Sequence, residues 1–205
     1  MAAWVLRGSI LLLVATAFAC SSGPSAPDDS EYQNQLAALR TQKDGVFRDG
    51  PESPVPRERR QILLPLRYYP VDPSYSVPAS LQLASERPVF EMPTSTGKMR
   101  RMQRVGVLAF SFQGQAMTLG AFVEEGTEQI TTLFVPFADA TTGEETYAAG
   151  RYLDLHPTTT GYYTVDFNQA YNPYCAYNSA YDCPFPPPTN RLKVPVRAGE
   201  KAPGA

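Results

Sequence analysis

The longest regular pattern in the sequence is an alternation of apolar and polar residues with a period of two. It covers residues 101–112, breaks at Gln113-Gly114 and resumes over residues 116–124. Successive side chains of a β-strand point to opposite faces of a sheet, so the pattern predicts two long strands joined by a tight turn. The chain is therefore predicted to be mainly β.

Shorter strands are predicted on both sides of this hairpin. Tight turns separate successive strands, and no spacing suits the crossover between parallel strands. We expect about seven antiparallel strands in a meander that forms a barrel or a sandwich. Pro195 indicates that the last of them is an edge strand. The shorter strands are predicted at residues 89–91, 130–137, 152–155, 162–167 and 192–197.

Helices are expected before the strands. A helix is predicted over residues 31–47, with candidate N-caps before it and Gly50-Pro51 after it. A second, short helix is predicted around residues 57–61. Residues 65–78 contain too many prolines for a helix or a central strand, so an extended strap is expected there. These helices are expected to lie on one side of the β structure.

The first 19 residues have the pattern of a secretory signal peptide. A short apolar run at residues 10–18 ends in Ala17-Phe18-Ala19, and Cys20 follows directly. This arrangement resembles a bacterial lipoprotein box, which predicts that Cys20 is lipidated and that residues 20–29 form a disordered tether. Ala-x-Ala also suits ordinary signal peptidase, so a soluble periplasmic or secreted protein is the alternative.

The remaining chain is predicted to be one β-rich domain, residues 30–201, followed by a short tail at residues 202–205. The net charge of −2 gives no general attraction to nucleic acid, and no nucleic-acid partner is expected. We expect a protein of the cell envelope that is lipid-anchored, contacts the membrane through that anchor and faces the periplasm. Ser21 after Cys20 favours the outer membrane if the cell is Gram-negative.

Several ordered motifs carry a resemblance to a known family. They resemble the bacterial domain-of-unknown-function 1684 family, and the resemblance covers about residues 31–201. The resemblance implies an exported or lipid-anchored protein, as in many members, and no known activity. The motifs are Pro70-Val71-Asp72-Pro73, FEMPTSTGK at residues 90–98, PFADATTGEETYAAGRYLDL at 136–155, DFNQAYNPYCAY at 166–177, CPFPPPTNRL at 183–192 and RAGEK at 197–201.

Two cysteines lie in a loop rich in Tyr, Asn and Pro. Cys175 and Cys183 are separated by seven residues, and an oxidising compartment would favour a disulfide between them. Free structural thiols and a catalytic cysteine are the alternatives. His156, the only histidine, precedes Pro157 at a predicted turn and is expected to be solvated. The usual motifs for zinc, dinucleotide and phosphate sites are absent from the sequence, so no metal or cofactor is expected.

Polar residues in two loops give the candidate binding site. Arg151 is expected either to pair with Asp139 or Asp166 or, if unpaired, to bind a carboxylate or phosphate through its planar guanidinium. The tyrosines and asparagines of the second loop suit sugar rings or peptides, although they also suit the packing of a Pro-rich loop. The predicted ligand-binding residues are Asp139, Tyr147, Arg151, Asp154, Asn168 and Asn172.

These features favour a non-catalytic binding module for a small anionic, glycan or peptide ligand. The alternative is a hydrolase of envelope material that uses two carboxylates from Asp139, Glu144, Asp154 and Asp166. A purely structural envelope component is a third possibility. The hydrolase requires two carboxyl groups that face one cleft, whereas the structural component requires no cleft.

Overall fold

The computed structural model describes Met1 and residues 29–158 and 162–204. Apart from Met1, the predicted signal peptide lies outside the described residues, as do Cys20 and nearly all of the predicted tether. Helix α1, Ser30–Asp49, begins the described domain and ends at Gly50, whose backbone N–H donates to the carbonyl of Val46. A short 3-10 helix, Arg57–Arg59, continues into helix α2, Arg60–Leu63. Both helices agree with the sequence predictions to within a few residues.

Seven antiparallel strands form one sheet. They are β1, Ser76–Leu83; β2, Val89–Pro93; β3, Met99–Phe112; β4, Gln115–Glu124; β5, Leu133–Phe137; β6, Arg151–Leu155; and β7, Tyr163–Asp166. The strand order is β6-β5-β4-β3-β1-β7. Strands β1 and β2 pair with the same edge of β3, each along a different half of it. An isolated bridge joins Tyr152 of β6 to Tyr171, which follows β7, so the sheet forms a nearly closed barrel.

The predicted hairpin is confirmed by β3 and β4, which pair from Met102 and Glu124 to the turn at Gln113-Gly114. A bulge between Arg104 and Gly106 bends the pair and strengthens its twist. Gly106 also permits β1 to approach, because a Cβ at this position would lie 2.3 Å from the carbonyl oxygen of Gln82. The long pair thereby curves enough for the sheet to form a barrel.

Two predictions are wrong. The sequence predicts no central strand within residues 65–78, but residues 76–78 begin strand β1, which pairs with both β3 and β7. Conversely, residues 192–197 alternate as predicted, with Leu192 and Val196 buried, but they form no strand. Side chains of Asp139 and Arg151 bond to the backbone of this segment and occupy positions that a neighbouring strand would need. The sheet has seven strands, as predicted, but β1 takes the place of the strand predicted at residues 192–197.

The barrel interior is filled by apolar side chains from every strand except β2, and several of them have no exposed surface. A second cluster joins α1 to the loop that contains Cys175 and Cys183, called the Tyr/Asn/Pro loop below. Its residues are Phe47, Val55, Leu63, Leu66 and Tyr177. A third lies on the outer face of the sheet and contains Met92, Met102 and Phe122, with Phe90 and Phe134 packed against it. The fully buried interior residues include Leu108, Leu119, Leu133, Val135, Phe137, Val165 and Phe167.

Candidate functional site

Arg151 and Asp139 form a fully buried ion pair inside the domain. Arg151 Nη2 donates to Asp139 Oδ2 at 2.9 Å, and both side chains are shielded from solvent. Arg151 also donates to the carbonyls of Val196 and Glu200, at 2.8 and 3.2 Å. The second carboxylate oxygen of Asp139 accepts from the backbone N–H of Val196 at 3.1 Å. Of the two expected roles of Arg151, the structure shows pairing with an aspartate. Its guanidinium is therefore not available to an anionic ligand.

The two predicted asparagines are also engaged within the domain. Asn168 accepts from the backbone N–H of Asp72 at 3.0 Å and donates to the carbonyl of the same residue at 2.8 Å. Asn172 donates to the carbonyl of Lys201 at 2.8 Å, and its own backbone N–H donates to Glu200 Oε2 at 2.7 Å. Both asparagines hold the strap and the C-terminal segment against the barrel.

The other two predicted residues lie at cavities. Tyr147 lines a cavity of about 450 Å³, and its hydroxyl lies 3.8 Å from Cys175 Sγ. Asp154 is exposed at a larger cleft, where it accepts a hydrogen bond from the hydroxyl of Tyr171 at 2.8 Å. Among the described residues, Asp139 and Arg151 are the members of the predicted set whose side chains contact each other. The six residues thus divide between internal contacts and two cavities.

The larger cleft has a volume of about 740 Å³ and lies on the outer face of the sheet. Strand register creates its floor. Phe122 of β4 is opposite Phe134 of β5, and Phe134 is opposite Asp154 of β6, so these three side chains share one face. Met102 and Tyr152 extend the same surface. The floor is therefore apolar and aromatic, with a carboxylate at one end.

The Tyr/Asn/Pro loop forms the wall of this cleft. Tyr174 and Tyr181 pack edge to face at 5.2 Å between ring centroids, and Tyr174 remains 44% exposed. Tyr171 packs at right angles against Tyr152, and burial, followed by the nearby Asp154 carboxylate, raises the pKa of Tyr171 above its ordinary range. The Tyr171 phenol is therefore a neutral hydrogen-bonding group at physiological pH. Pro173 and Pro184 complete the wall.

Charged groups surround the cleft, and its cations already have partners. Lys43 lies 2.5 Å from Glu200, and Arg100 lies 3.7 Å from Asp182. The other two carboxylates of the lining, Glu124 and Asp154, have no Lys or Arg within 4.0 Å in the described part of the chain. The cleft consequently offers carboxylate acceptors rather than a free positive charge.

The four carboxylates proposed for hydrolysis do not converge on this cleft. Asp139 is bound to Arg151, and Asp166 accepts hydrogen bonds from Tyr32 and Gln169 within the fold. Of the four, Asp154 lines the cleft. Within the residues that the structure describes, no group of three His, Cys, Asp or Glu side chains is arranged to hold a metal ion.

Cys175 and Cys183 are neighbouring thiols at the cleft wall. The backbone N–H of Cys175 donates to Cys183 Sγ at 3.2 Å. Cys183 lines the cleft, and its backbone N–H donates to Ser95 Oγ at 3.1 Å. The predicted disulfide between them remains a prediction, since both side chains are thiols in this structure. The predicted solvation of His156 agrees with its exposed position beside Thr132.

Sequence reasoning did not include the cleft floor in the site. Met102, Phe122 and Phe134 lie in predicted strands, where they count equally well as core residues. The available signal was that residues 133–137 are apolar at every position, which is typical of a strand covered on both faces. In the structure Leu133, Val135 and Phe137 face the barrel interior, whereas Phe134 lines the cleft.

The fold and the cleft describe a β-barrel domain with an aromatic groove on its outer surface. The chain belongs to the DUF1684 family of proteins of unknown function, whose model matches residues 64–201. A solved structure of an uncharacterised protein from Haloarcula marismortui is 38% identical, covers 85% of this chain and 96% of its own, and has a TM-score of 0.67. No curated protein matches the chain.

Proposed function

We propose that this protein is a non-catalytic binding module that holds a glycan in the outer cleft. The observation that carries the proposal is an aromatic floor and wall beside two carboxylates, Glu124 and Asp154, that lack a cationic partner. The apolar faces of sugar rings pack on the electron-rich faces of aromatic rings, and carboxylates accept hydrogen bonds from sugar hydroxyls. A volume of about 740 Å³ lies within the range of ligand pockets in proteins.

The same contacts favour a glycan over the other two expected ligand classes. A small anion would need a free cation, but Arg100 and Lys43 are paired, and Arg151 is buried with Asp139. A peptide that adds to the sheet would need an unpaired strand edge. Strands β4 and β5 each have neighbours on both sides, and the bridge from Tyr152 to Tyr171 occupies the free side of β6.

We further propose that the domain is tethered to the cell envelope through lipidated Cys20 and faces the periplasm. The support is the apolar run, small-residue cleavage site and polar tether at the start of the sequence. No helix within the described residues is both long and apolar enough to cross a membrane. In this oxidising compartment, Cys175 and Cys183 form a disulfide, and their adjacency supports that pairing.

A saccharide titration tests the proposal. We expect a trisaccharide from a panel of cellotriose, maltotriose and chitotriose to bind, as measured by isothermal titration calorimetry. Tyr181→Ala, which removes part of the cleft wall, is expected to weaken binding about 5- to 10-fold, as estimated for a lost ring contact. Tyr162→Ala is the matched control, because Tyr162 is 61% exposed and does not line the cleft.

The hydrolase alternative is tested on the same mixtures. Mass spectrometry of the saccharides after prolonged incubation would reveal cleavage, and Asp154→Asn would remove the one hydrolase candidate that lines the cleft. We expect intact saccharides with both proteins. Cleavage products that disappear in Asp154→Asn would replace the binding proposal with the hydrolase. Equal binding by Tyr181→Ala and Tyr162→Ala would show that the cleft is not the binding site. No binding to any saccharide would refute the proposed glycan binding.

A further inference from the structure

The two thiols of the loop differ in their access to solvent. Cys183 is buried, with 7% of its surface exposed, whereas Cys175 is half-buried. They are adjacent, since the backbone N–H of Cys175 donates to Cys183 Sγ at 3.2 Å. A disulfide that exchanges with other thiols needs this asymmetry: one sulfur that an external reagent can reach and a second sulfur that completes the reaction from behind.

The surroundings of the pair place negative charge on the accessible sulfur. A hydrogen bond from the Cys183 thiol lowers the pKa of Cys175 to about 6, and the Tyr147 hydroxyl, 3.8 Å from its Sγ, acts in the same direction. The same bond and burial raise the pKa of Cys183. Arg100 and Tyr152 are the other titratable groups that face the pair. Cys175 is thus the more nucleophilic thiol near neutral pH.

We propose that Cys175 and Cys183 form a thiol–disulfide exchange site whose substrate is a small disulfide of the glutathione class. The Cys175 thiolate attacks one substrate sulfur, forms a mixed disulfide and releases the other substrate half as a thiolate. That thiolate takes the proton of Cys183. Cys183 Sγ then attacks Cys175 Sγ, the second substrate thiolate leaves, and the Cys175–Cys183 bond forms. Two electrons pass from the protein thiols to the substrate.

This activity goes beyond glycan binding and does not depend on it. Its product is the bridge that an oxidising compartment favours, but here the bridge is formed by exchange and is reversible. It closes a loop of seven residues that carries Tyr181, part of the cleft wall. In the reduced protein this loop is already held by Ser95, whose hydroxyl donates to the carbonyl of Tyr181 at 3.0 Å. Because this contact does not depend on the bridge, we expect the fold to be the same in both oxidation states.

Intact-mass measurements on the full chain test the proposal. Cys20→Ser provides the background, so that Cys175 and Cys183 are the remaining cysteines. Incubation of the reduced background protein with oxidised glutathione is expected to remove two hydrogens and to leave no glutathionyl group attached. With Cys183→Ser added, the mixed disulfide on Cys175 accumulates. With Cys175→Ser added instead, the reaction slows about ten-fold or more, since its remaining thiol is buried and protonated.

A second measurement needs no substitution in the pair. Alkylation of the reduced background protein by iodoacetamide, followed by peptide mapping, is expected to modify Cys175 first, with a rate that rises around pH 6. At that pH a much larger fraction of Cys175 than of an ordinary cysteine is thiolate, and this outweighs the lower basicity of the thiolate. Cys175 should therefore react at least several-fold faster than free cysteine.

Three results would overturn the exchange site. Cys183→Ser that stays folded by circular dichroism but never forms the mixed disulfide would show that Cys175 is not the attacking sulfur. Equal alkylation of both cysteines would remove the asymmetry. A bridge that dithiothreitol cannot reduce in the folded protein would be a structural crosslink only. Because these readouts use no saccharide, their failure leaves the proposed glycan binding untouched.

Discussion

Replacing Arg151 by Met should destabilise the domain more than any replacement of a surface arginine. Arg151 is fully buried and donates to Asp139 and to the carbonyls of Val196, Ala198 and Glu200. Methionine preserves much of the apolar volume but removes every donor. The Asp139 carboxylate would then be buried without a cation, and three carbonyls of the C-terminal segment would lose their side-chain partner.

The magnitude follows from the burial of the pair. Removing one partner of a buried ion pair costs about 3–5 kcal/mol, against a total stability of about 5–15 kcal/mol for a typical domain. Urea denaturation followed by circular dichroism should show a free energy of unfolding lower by that amount, with the midpoint shifted to a lower urea concentration. Arg101→Met is the matched control: Arg101 also pairs with a carboxylate, Glu125, but both are exposed. Its shift should be close to the error of the measurement.

A double-mutant cycle separates the ion pair from simple loss of packing. Asp139→Leu combined with Arg151→Met removes both charges, so the double variant should be more stable than the sum of the single changes by about 1–3 kcal/mol. Hydrogen exchange at the backbone N–H of Val196, which donates to Asp139, should accelerate in either single variant. If Arg151→Met is no more destabilising than Arg101→Met, the assigned role of the pair is wrong.

Two further changes test the remaining internal contacts. Asn190→Ala removes a buried amide that bonds to both the N–H and the carbonyl of Gly120, at 2.7 and 2.9 Å, so we expect a loss of about 2–4 kcal/mol in urea denaturation; an unchanged midpoint would contradict this role. Glu145→Gln tests pH dependence, because hydrogen bonds from Arg197, followed by that from Tyr69, hold the Glu145 pKa below its ordinary 4.5. A lowered carboxylate pKa stabilises the fold above the ordinary pKa, and this stabilisation is lost as pH falls through the lowered pKa. Wild type and Glu145→Gln should therefore differ in Tm at neutral pH, and the difference should shrink as pH falls below 4.5. A difference that widens in acid would refute the sign.

The elements that the sequence predicted well are those with a long periodic pattern. The helix predicted over residues 31–47 is Ser30–Asp49, and the hairpin predicted over residues 101–124 is found with its turn in place. Strand β1 was missed because Ala79 is its one fully buried residue, so its alternation is weak. Its proline also argued against a paired strand, although Pro78 lies opposite Thr164.

Long-range contacts explain the other differences between the sequence predictions and the structure. Residues 192–197 have the alternation of a strand, but Asp139 and Arg151, which are distant in sequence, bond to its backbone. Local pattern carries no information about such partners. The tyrosines of the cleft wall were identified as a candidate platform from composition. The floor was not, since the alignment of Phe122 with Phe134 depends on the register between β4 and β5.

The most direct test of the account is NMR of the protein labelled with ¹³C in its methionine methyl groups. Met102 lies on the cleft floor, whereas Met99 and Met117 do not line the cleft and serve as internal controls. If the cleft binds a glycan, titration with a trisaccharide that binds in calorimetry should shift the Met102 signal and leave the two controls unchanged. A binding saccharide that leaves Met102 unshifted, or that shifts Met117 instead, would contradict the account.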